Sequence, residues 1–520
     1  MREKLKKIEK KWQKRWEEAK LFEADVEPEK KKFFVTFPYP YVNGAPHIGA
    51  GFTAFRVDVY ARYKRMQGFN VLYPQGFHAT GEPIVGAVER LKQGDKVQIN
   101  TFKAYGASTK DLQDFIKKGP EFVAKYWMQK WIEDLKLAGF SIDWRRTFIT
   151  TPMTPTYSRF IEWQYNTLRD RGYVIQGTHP VIWCPNCQSP TGDHDRLEGE
   201  GASPVDYVVI KFELDSDILP CATLRPETTY GVTNIWINPS VEYVRANVNG
   251  ERWIISKQAA EKLKDQLKDV EVLGKIKGSE LVGKYCRNPV TGDRIIILPA
   301  AFCDPDTATG IVMSVPSHAP YDWIALHDLQ EQPEQLKKYK DYSTIVDELK
   351  RIKPISLIST EGFGEHPAIE VCEQMKISSQ KDVAKLEDAT SLVYKKEFHT
   401  GVLNDRCGDY AGMKVSECKE KLTEKFVESG IADIMWECTA PVVCRCTTKC
   451  YVKILENQWF LKFSDKEWKK KVKKCLQKMK LYPEDVRMQF ENTIDWLKAV
   501  SYTHLRAHET RHDLVCRLLL

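Results

Sequence analysis

Residues 31–68 read KKFFVTFPYPYVNGAPHIGAGFTAFRVDVYARYKRMQG, and FNVLYPQGFH follows at 69–78. An apolar β-run, Phe33 to Phe37, breaks at a loop rich in Pro, Asn and Gly. A helical pattern then starts near His47 and stops by Gly68. A second short strand comes next. Strand, glycine-bearing loop, helix, strand is the order of a βαβ unit and predicts a parallel sheet. Ligands bind beyond the C-terminal ends of parallel strands in open α/β sheets. The helix N-terminus behind the loop offers free N–H groups and a positive dipole end to phosphates. His47 at that terminus can donate to a phosphate oxygen, and Gly44 and Gly49 leave room for a close ligand. Taken alone, the loop reads as a proline-rich strand–turn with a capping histidine.

Outward from this loop, 520 residues exceed what one hydrophobic core organises, so two to four domains are expected. No apolar run reaches the ~18 residues needed to span a bilayer. The N-terminus, MREKLKKIEKKWQKRWEEAK, has no apolar segment behind its basic residues, which argues against a secretory signal. The 14 cysteines therefore read as reduced thiols or metal ligands in a cytoplasmic protein. A formal charge of +7 permits a polyanionic partner without demanding one.

Residues 1–20 are expected to form an amphipathic helix, with Leu5, Ile8, Trp12 and Trp16 at helical spacing. Residues 100–175 look helical. From about 205 the texture changes to short β-runs such as YVVIKFEL, VTNIWINP and RIIILPA, with helices near 257–270 and 413–429. The polar stretch 328–352 reads as a surface excursion. The division that follows is 1–180 for an N-terminal helix and the first half of a parallel-sheet domain, 181–203 for a knuckle and linker, 204–440 for an inserted strand-rich domain, and 441–500 for a return to the first domain. The last residues, 501–520, read as a non-native tail. They carry His504, His508 and His512 on one helical face if helical.

Several stretches beyond the loop share one likeness. His47-Ile48-Gly49-Ala50, GFHATGEPI at 76–84, AGFSIDWRRTFITT at 138–151, FIEWQYNTL at 160–168 and GDHDRLEGE at 192–200 together resemble class I aminoacyl-tRNA synthetases, and within them the leucyl enzymes of archaeal/eukaryotic type. The resemblance runs over about 1–498. It implies an α/β fold: a Rossmann-type catalytic domain interrupted by a strand-rich α+β editing domain. It also implies ATP-dependent, Mg²⁺-assisted activation of leucine and transfer to tRNA(Leu), by a monomer. The leucine carboxylate attacks the α-phosphate, so the enzyme's part is positioning and charge stabilisation. By that likeness His47 and Gly49 are catalytic, and Pro40, Asn43, Gly44, His47, Gly49 and Ala50 bind ATP. Phe37 and Tyr39 line the leucine pocket, and His78 lies near its amino group. The family motif ends in His where this chain has Ala50. Either one phosphate or ribose contact is missing, at about 1–3 kcal/mol, or the change is offset elsewhere.

The likeness extends to the insertion. One methylene in an apolar pocket is worth only about 1–3 kcal/mol, the general figure drawn from synthetases themselves, so near-cognate amino acids need a second, hydrolytic site. TLRPETTYGVTN at 223–234 resembles the threonine-rich strip of such a site, and ATGIVMSVPSHAPYDWIAL at 308–326 its facing wall. On that reading Asp322 holds the α-ammonium of a mischarged amino acid. Thr223, Arg225 and Thr228 position ester, ribose and water, Thr228 also excludes leucine, and His318 belongs to the same site.

Cys184-Pro185-Asn186-Cys187 has the ligand spacing of half a structural zinc site, and Cys444, Cys446 and Cys450 form a second cluster at the far end of the insertion. A four-thiolate zinc site using two of the last three is the expectation; free thiols are the alternative. No lysine-rich KMSKS loop occurs, so the chain reads as C-terminally truncated, with editing the activity it keeps. The rival readings are an isoleucyl or valyl enzyme, a free-standing trans-editing hydrolase, and a non-enzymatic tRNA-binding module.

Overall fold

The computed structural model describes residues 2–79, 82–497 and 499–501. The chain forms two compact units. One comprises the stretch up to Ala202, Ala440–Cys450 and the stretch from Leu455 onward; the other comprises Ser203–Thr439 and Tyr451–Ile454. The tail from 502, with its three histidines, and Thr80 and Gly81 of the 76–84 stretch lie outside the described residues.

In the first unit the βαβ expectation holds. Lys32–Phe34 pairs parallel with Asn70–Leu72, in register Lys32 to Asn70. The pairing continues through Val35 N–H to the Leu72 carbonyl and through Tyr41 to His78. Gly76–Phe77 pairs parallel with Phe148–Ile149, so three consecutive segments run side by side. The crossover is the Ile48–Met66 helix. It begins behind Pro46 with His47 as N-cap and ends where Gly68 takes φ +84°, a conformation open to glycine. Asp58 ties it to the loop before the third segment. Its carboxylate accepts from the Ser141 N–H and Oγ at 2.6 Å each and from Arg62 Nε at 2.7 Å.

Four helices, Glu82–Lys92, Lys96–Ala104, Thr109–Lys118 and Pro120–Leu137, pack an aromatic cluster of Phe102, Phe115, Trp127 and Trp131. The third begins in a capping box between Ser108 and Asp111, the fourth with proline in its first turn. A separate cluster joins Val174, Leu461 and Phe463 to Trp468, Val472 and Leu476 of the Lys466–Lys478 helix.

The second unit is built on one large mixed sheet. Its centre is Pro204–Leu214, paired antiparallel with both Asp217–Thr223 and Ala432–Cys438. Asn234–Ile237, buried at all four residues, lies between Arg294–Pro299, parallel to it, and Ile311–Ser314, antiparallel. The expected helices appear as Lys257–Lys264 and Val415–Glu428.

The surface excursion expected at 328–352 is corrected. Two helices, Pro320–Glu331 and Tyr342–Arg351, occupy that region, and Ile345, Val346 and Leu349 are buried in the unit's main core. In Tyr342–Arg351 the polar composition hides an amphipathic period, polar on one face and apolar on the other. Two further helices, Pro367–Gln374 and Val383–Thr400, were not anticipated. Among the described residues no helix is long and apolar enough to cross a membrane.

Candidate functional sites

In the first unit the loop after Lys32–Phe34 walls a cavity of about 540 Å³. Phe37, Tyr39, Pro40, Asn43, Gly44, His47, Gly49 and Ala50, eight of the residues expected around ATP and leucine, all line it. His47 Nδ1 accepts from the Ala50 N–H at 3.3 Å, which leaves Nε2 as the nitrogen that can donate to a ligand. Capping and ligand roles are thus compatible in one side chain. Tyr39 packs edge-on to Phe148 at 5.1 Å. A Cβ on Gly76 would lie 2.7 Å from both rings, so only glycine lets the second strand pass beneath them.

His78 is placed differently from the others. It is fully buried, stacks on Tyr41 at 4.4 Å and does not line this cavity. The lining residues not singled out by sequence include Trp131, whose Nε1 donates to the Gly44 carbonyl at 3.1 Å, and Arg445.

Arg445 sits between two thiols of the cysteine cluster. The sulfurs of Cys184, Cys187, Cys444 and Cys446 all lie within 4.8 Å of one another, with Cys184 to Cys446 at 3.5 Å and Cys187 to Cys444 at 3.9 Å. Four sulfurs about 2.3 Å from a tetrahedral ion stand about 3.8 Å apart, so the donor set fits zinc. Cys450 lies outside this group of four, although its thiol hydrogen-bonds that of Cys444; its sulfur is also 3.6 Å from Thr191 Oγ1 and 3.7 Å from the Thr448 carbonyl. Burial pushes the Cys184 thiol up to about 11.

The second unit holds a larger cavity, about 1220 Å³, whose wall includes Thr223, Arg225, Thr228, Asp322 and Tyr394. The two stretches 223–234 and 308–326, some 80 positions apart, therefore meet across one space. Thr223 ends a strand, and its Oγ1 accepts from the Arg225 N–H at 2.9 Å. Thr228 Oγ1 donates to the Arg225 carbonyl at 2.7 Å within the short helix Pro226–Gly231.

Asp322 lies in the first turn of Pro320–Glu331. Its carboxylate accepts from Trp236 Nε1 at 3.0 Å and from the Val315 N–H at 2.8 Å. Both donors are neutral, and among the described residues no cationic side chain pairs with it. Burial consequently pushes it up to about 7, against those two hydrogen bonds.

His318 is brought to the region but not to the cavity surface. It is fully buried, and its Nδ1 stands 2.7 Å from Glu397. Glu397 and Tyr394, both from the unanticipated Val383–Thr400 helix, complete the surroundings of Arg225. Glu397 bonds its Nη2 at 2.6 Å, and the Tyr394 ring centroid is 4.6 Å from the guanidinium carbon. The signal that would have found Glu397 is a carboxylate in line with Leu386, Ala389 and Val393 on the buried face of a helix.

A family model described as tRNA synthetases class I (I, L, M and V) matches residues 11–501. The leucine–tRNA ligase of Pyrococcus abyssi is 49% identical over 94% of this chain and 51% of its own length, and that of Aeropyrum pernix 46% identical over 96% and 52%. The chain spans about half the length of the curated relatives it matches. Among solved structures, the P. falciparum cytosolic leucyl-tRNA synthetase editing domain matches 44% of this chain and 98% of its own, at 22% identity and a TM-score of 0.41. With a synthetase model spanning nearly all of it, this chain belongs to the class I tRNA synthetases of the isoleucine, leucine, methionine and valine group.

Proposed function

We propose that the chain serves leucine–tRNA ligation, and that its second unit hydrolyses tRNA(Leu) carrying the wrong amino acid. The observation that carries the hydrolytic reading is Asp322, a buried carboxylate with neutral partners only, facing a cavity it shares with Thr223, Arg225 and Thr228. A carboxylate so placed is short of one positive charge, and the α-ammonium of an aminoacyl ester supplies it. Water then attacks the ester carbonyl, the bond to the terminal ribose oxygen breaks, and that oxygen leaves with a proton. Thr223 and Thr228 orient the ribose and water, and Arg225 faces the carbonyl oxygen as charge grows on it.

Deacylation of isoleucyl-tRNA(Leu) tests this directly. Asp322→Ala is expected to lower the rate at least 100-fold, and an unchanged rate removes the assignment.

For the first unit the reading is binding of ATP and leucine at the His47 loop. His47 Nε2 would donate to phosphate, Mg²⁺ would arrive with ATP, and Phe37 and Tyr39 would enclose the leucine side chain. ATP–pyrophosphate exchange, with leucine, isoleucine and valine compared, distinguishes the leucyl reading from its nearest rivals. The four thiols Cys184, Cys187, Cys444 and Cys446 would hold zinc, which supplies a structural cross-link and no chemistry of reaction.

A further inference from the structure

Glu397 does not line the cavity, yet one of its oxygens holds a residue that does, and the other holds the buried His318 behind it. Oε2 accepts from Arg225 Nη2 at 2.6 Å. Oε1 stands 2.7 Å from His318 Nδ1, while the Leu357 N–H donates to His318 Nε2 at 2.9 Å. Because Nε2 is the acceptor, the ring proton sits on Nδ1 and is donated to Glu397. A continuous buried path thus runs from the Leu357 backbone through His318 and Glu397 to the guanidinium. Arg225 is gripped elsewhere too, by Glu227 at 3.1 Å through Nε and by the His318 carbonyl at 3.4 Å through Nη1, over the Tyr394 ring.

We propose that Glu397 is a positioning residue for editing: through Arg225, it fixes the guanidinium in the orientation that meets the ester of a mischarged tRNA. This rests on the hydrolytic reading of the same cavity. Stability alone is a poor reason for such a pair, since a buried ion pair is often no more stabilising than apolar residues of the same volume. Arg225 otherwise has a long, rotatable stem beside an open cavity of about 1220 Å³. Two carboxylates, Glu227 and Glu397, surround one guanidinium. With Asp322 they leave this wall negative, which suits an incoming ammonium and discourages free anions.

The test is a double-mutant cycle on the full chain, read as kcat/KM for deacylation of isoleucyl-tRNA(Leu), with thermal melts alongside. Glu397→Gln is expected to lose tenfold or more, mainly in kcat, and Arg225→Ala at least as much. The double variant is expected to be no worse than Arg225→Ala alone, because Glu397 acts only through Arg225. Should Glu397→Gln fail to fold, Glu397→Asp enters the same cycle, keeping the charge but drawing it back by one methylene. Wild-type rates in the Glu397 variants, or losses that multiply in the double variant, overturn the proposal. If Asp322→Ala is inactive while Glu397→Gln is not, this proposal falls and the hydrolytic reading stands; if the wild-type chain does not deacylate, both fall.

Discussion

Asp322 is held at about 7 by burial, well above its ordinary value of 3.8, and that places its titration inside the working range of the site. The sign follows from proton counts. Between about pH 4 and 7 the folded carboxyl keeps a proton that the unfolded one has released, so its contribution to folding stability is present at low pH and is lost as pH rises through 7. Ligand binding runs the other way, since an α-ammonium needs the ionised form. The kcat/KM for deacylation is expected to fall below about pH 7 in the wild type, and Asp322→Asn is expected to lose that inflection along with most activity. A pH profile from 5 to 8.5 checks it; parallel profiles would show that Asp322 is not the titrating group. The arriving ammonium favours the charged carboxylate, so the inflection belongs in kcat/KM more than in kcat. Such residues were legible in part. The threonine strip and Asp322 stand in stretches whose order resembles a known site. Glu397 lies 172 positions beyond Arg225 and meets it only because a helix folds back over the strip. His318 shows the complementary limit: the resemblance brought it to the right region, but only packing placed it behind the wall.

Among the elements, those with strong local signals were the ones foreseen. The βαβ order around 31–78 was marked by a β-run, a Pro/Gly loop and a helix stop, and each signal acts within a few residues. The helices at 342–351 and 383–400 were hidden because the polar composition of the stretches around them outweighed the period of Ile345, Val346 and Leu349 or of Leu386, Ala389 and Val393. The cysteine clusters make a sharper case. Spacing marked Cys184 and Cys187 as half a site but left three later partners open, and the fold groups only Cys444 and Cys446 with them. Metal analysis of chain purified without chelator is expected to find one zinc per molecule. Cys446→Ser or Cys184→Ser should lose it, whereas Cys450→Ser should keep it, because that sulfur lies outside the group of four and touches it only through Cys444. Cobalt substitution gives a second readout through the thiolate charge-transfer band. Equal metal loss in the Cys450 variant would place the site elsewhere.

At the scale of the molecule, the buried apolar clusters described above each draw on one unit. Phe102, Trp127 and Trp131 with their neighbours, and Trp468 with Val174, belong to the first; Ile210, Phe212, Trp236 and Ile297 belong to the second. Each unit therefore has its own source of cooperativity, and a chain built this way is not expected to unfold in one step. The thiol cluster lies wholly within the first unit, where it joins residues some 260 positions apart in sequence and so closes a very long loop. Calorimetry is expected to resolve two transitions. A strong chelator should lower one of them by roughly 5–10 °C, the size of shift a few kcal/mol produces in a unit this large, and leave the other in place. Deacylation of mischarged tRNA, assayed between the two midpoints, identifies which transition belongs to which unit: activity should persist if the first unit melts earlier and the second retains its cavity. A single transition that the chelator moves as a whole would show instead that the two cores are energetically one, and that metal at the knuckle stabilises the cavity around Asp322 as well.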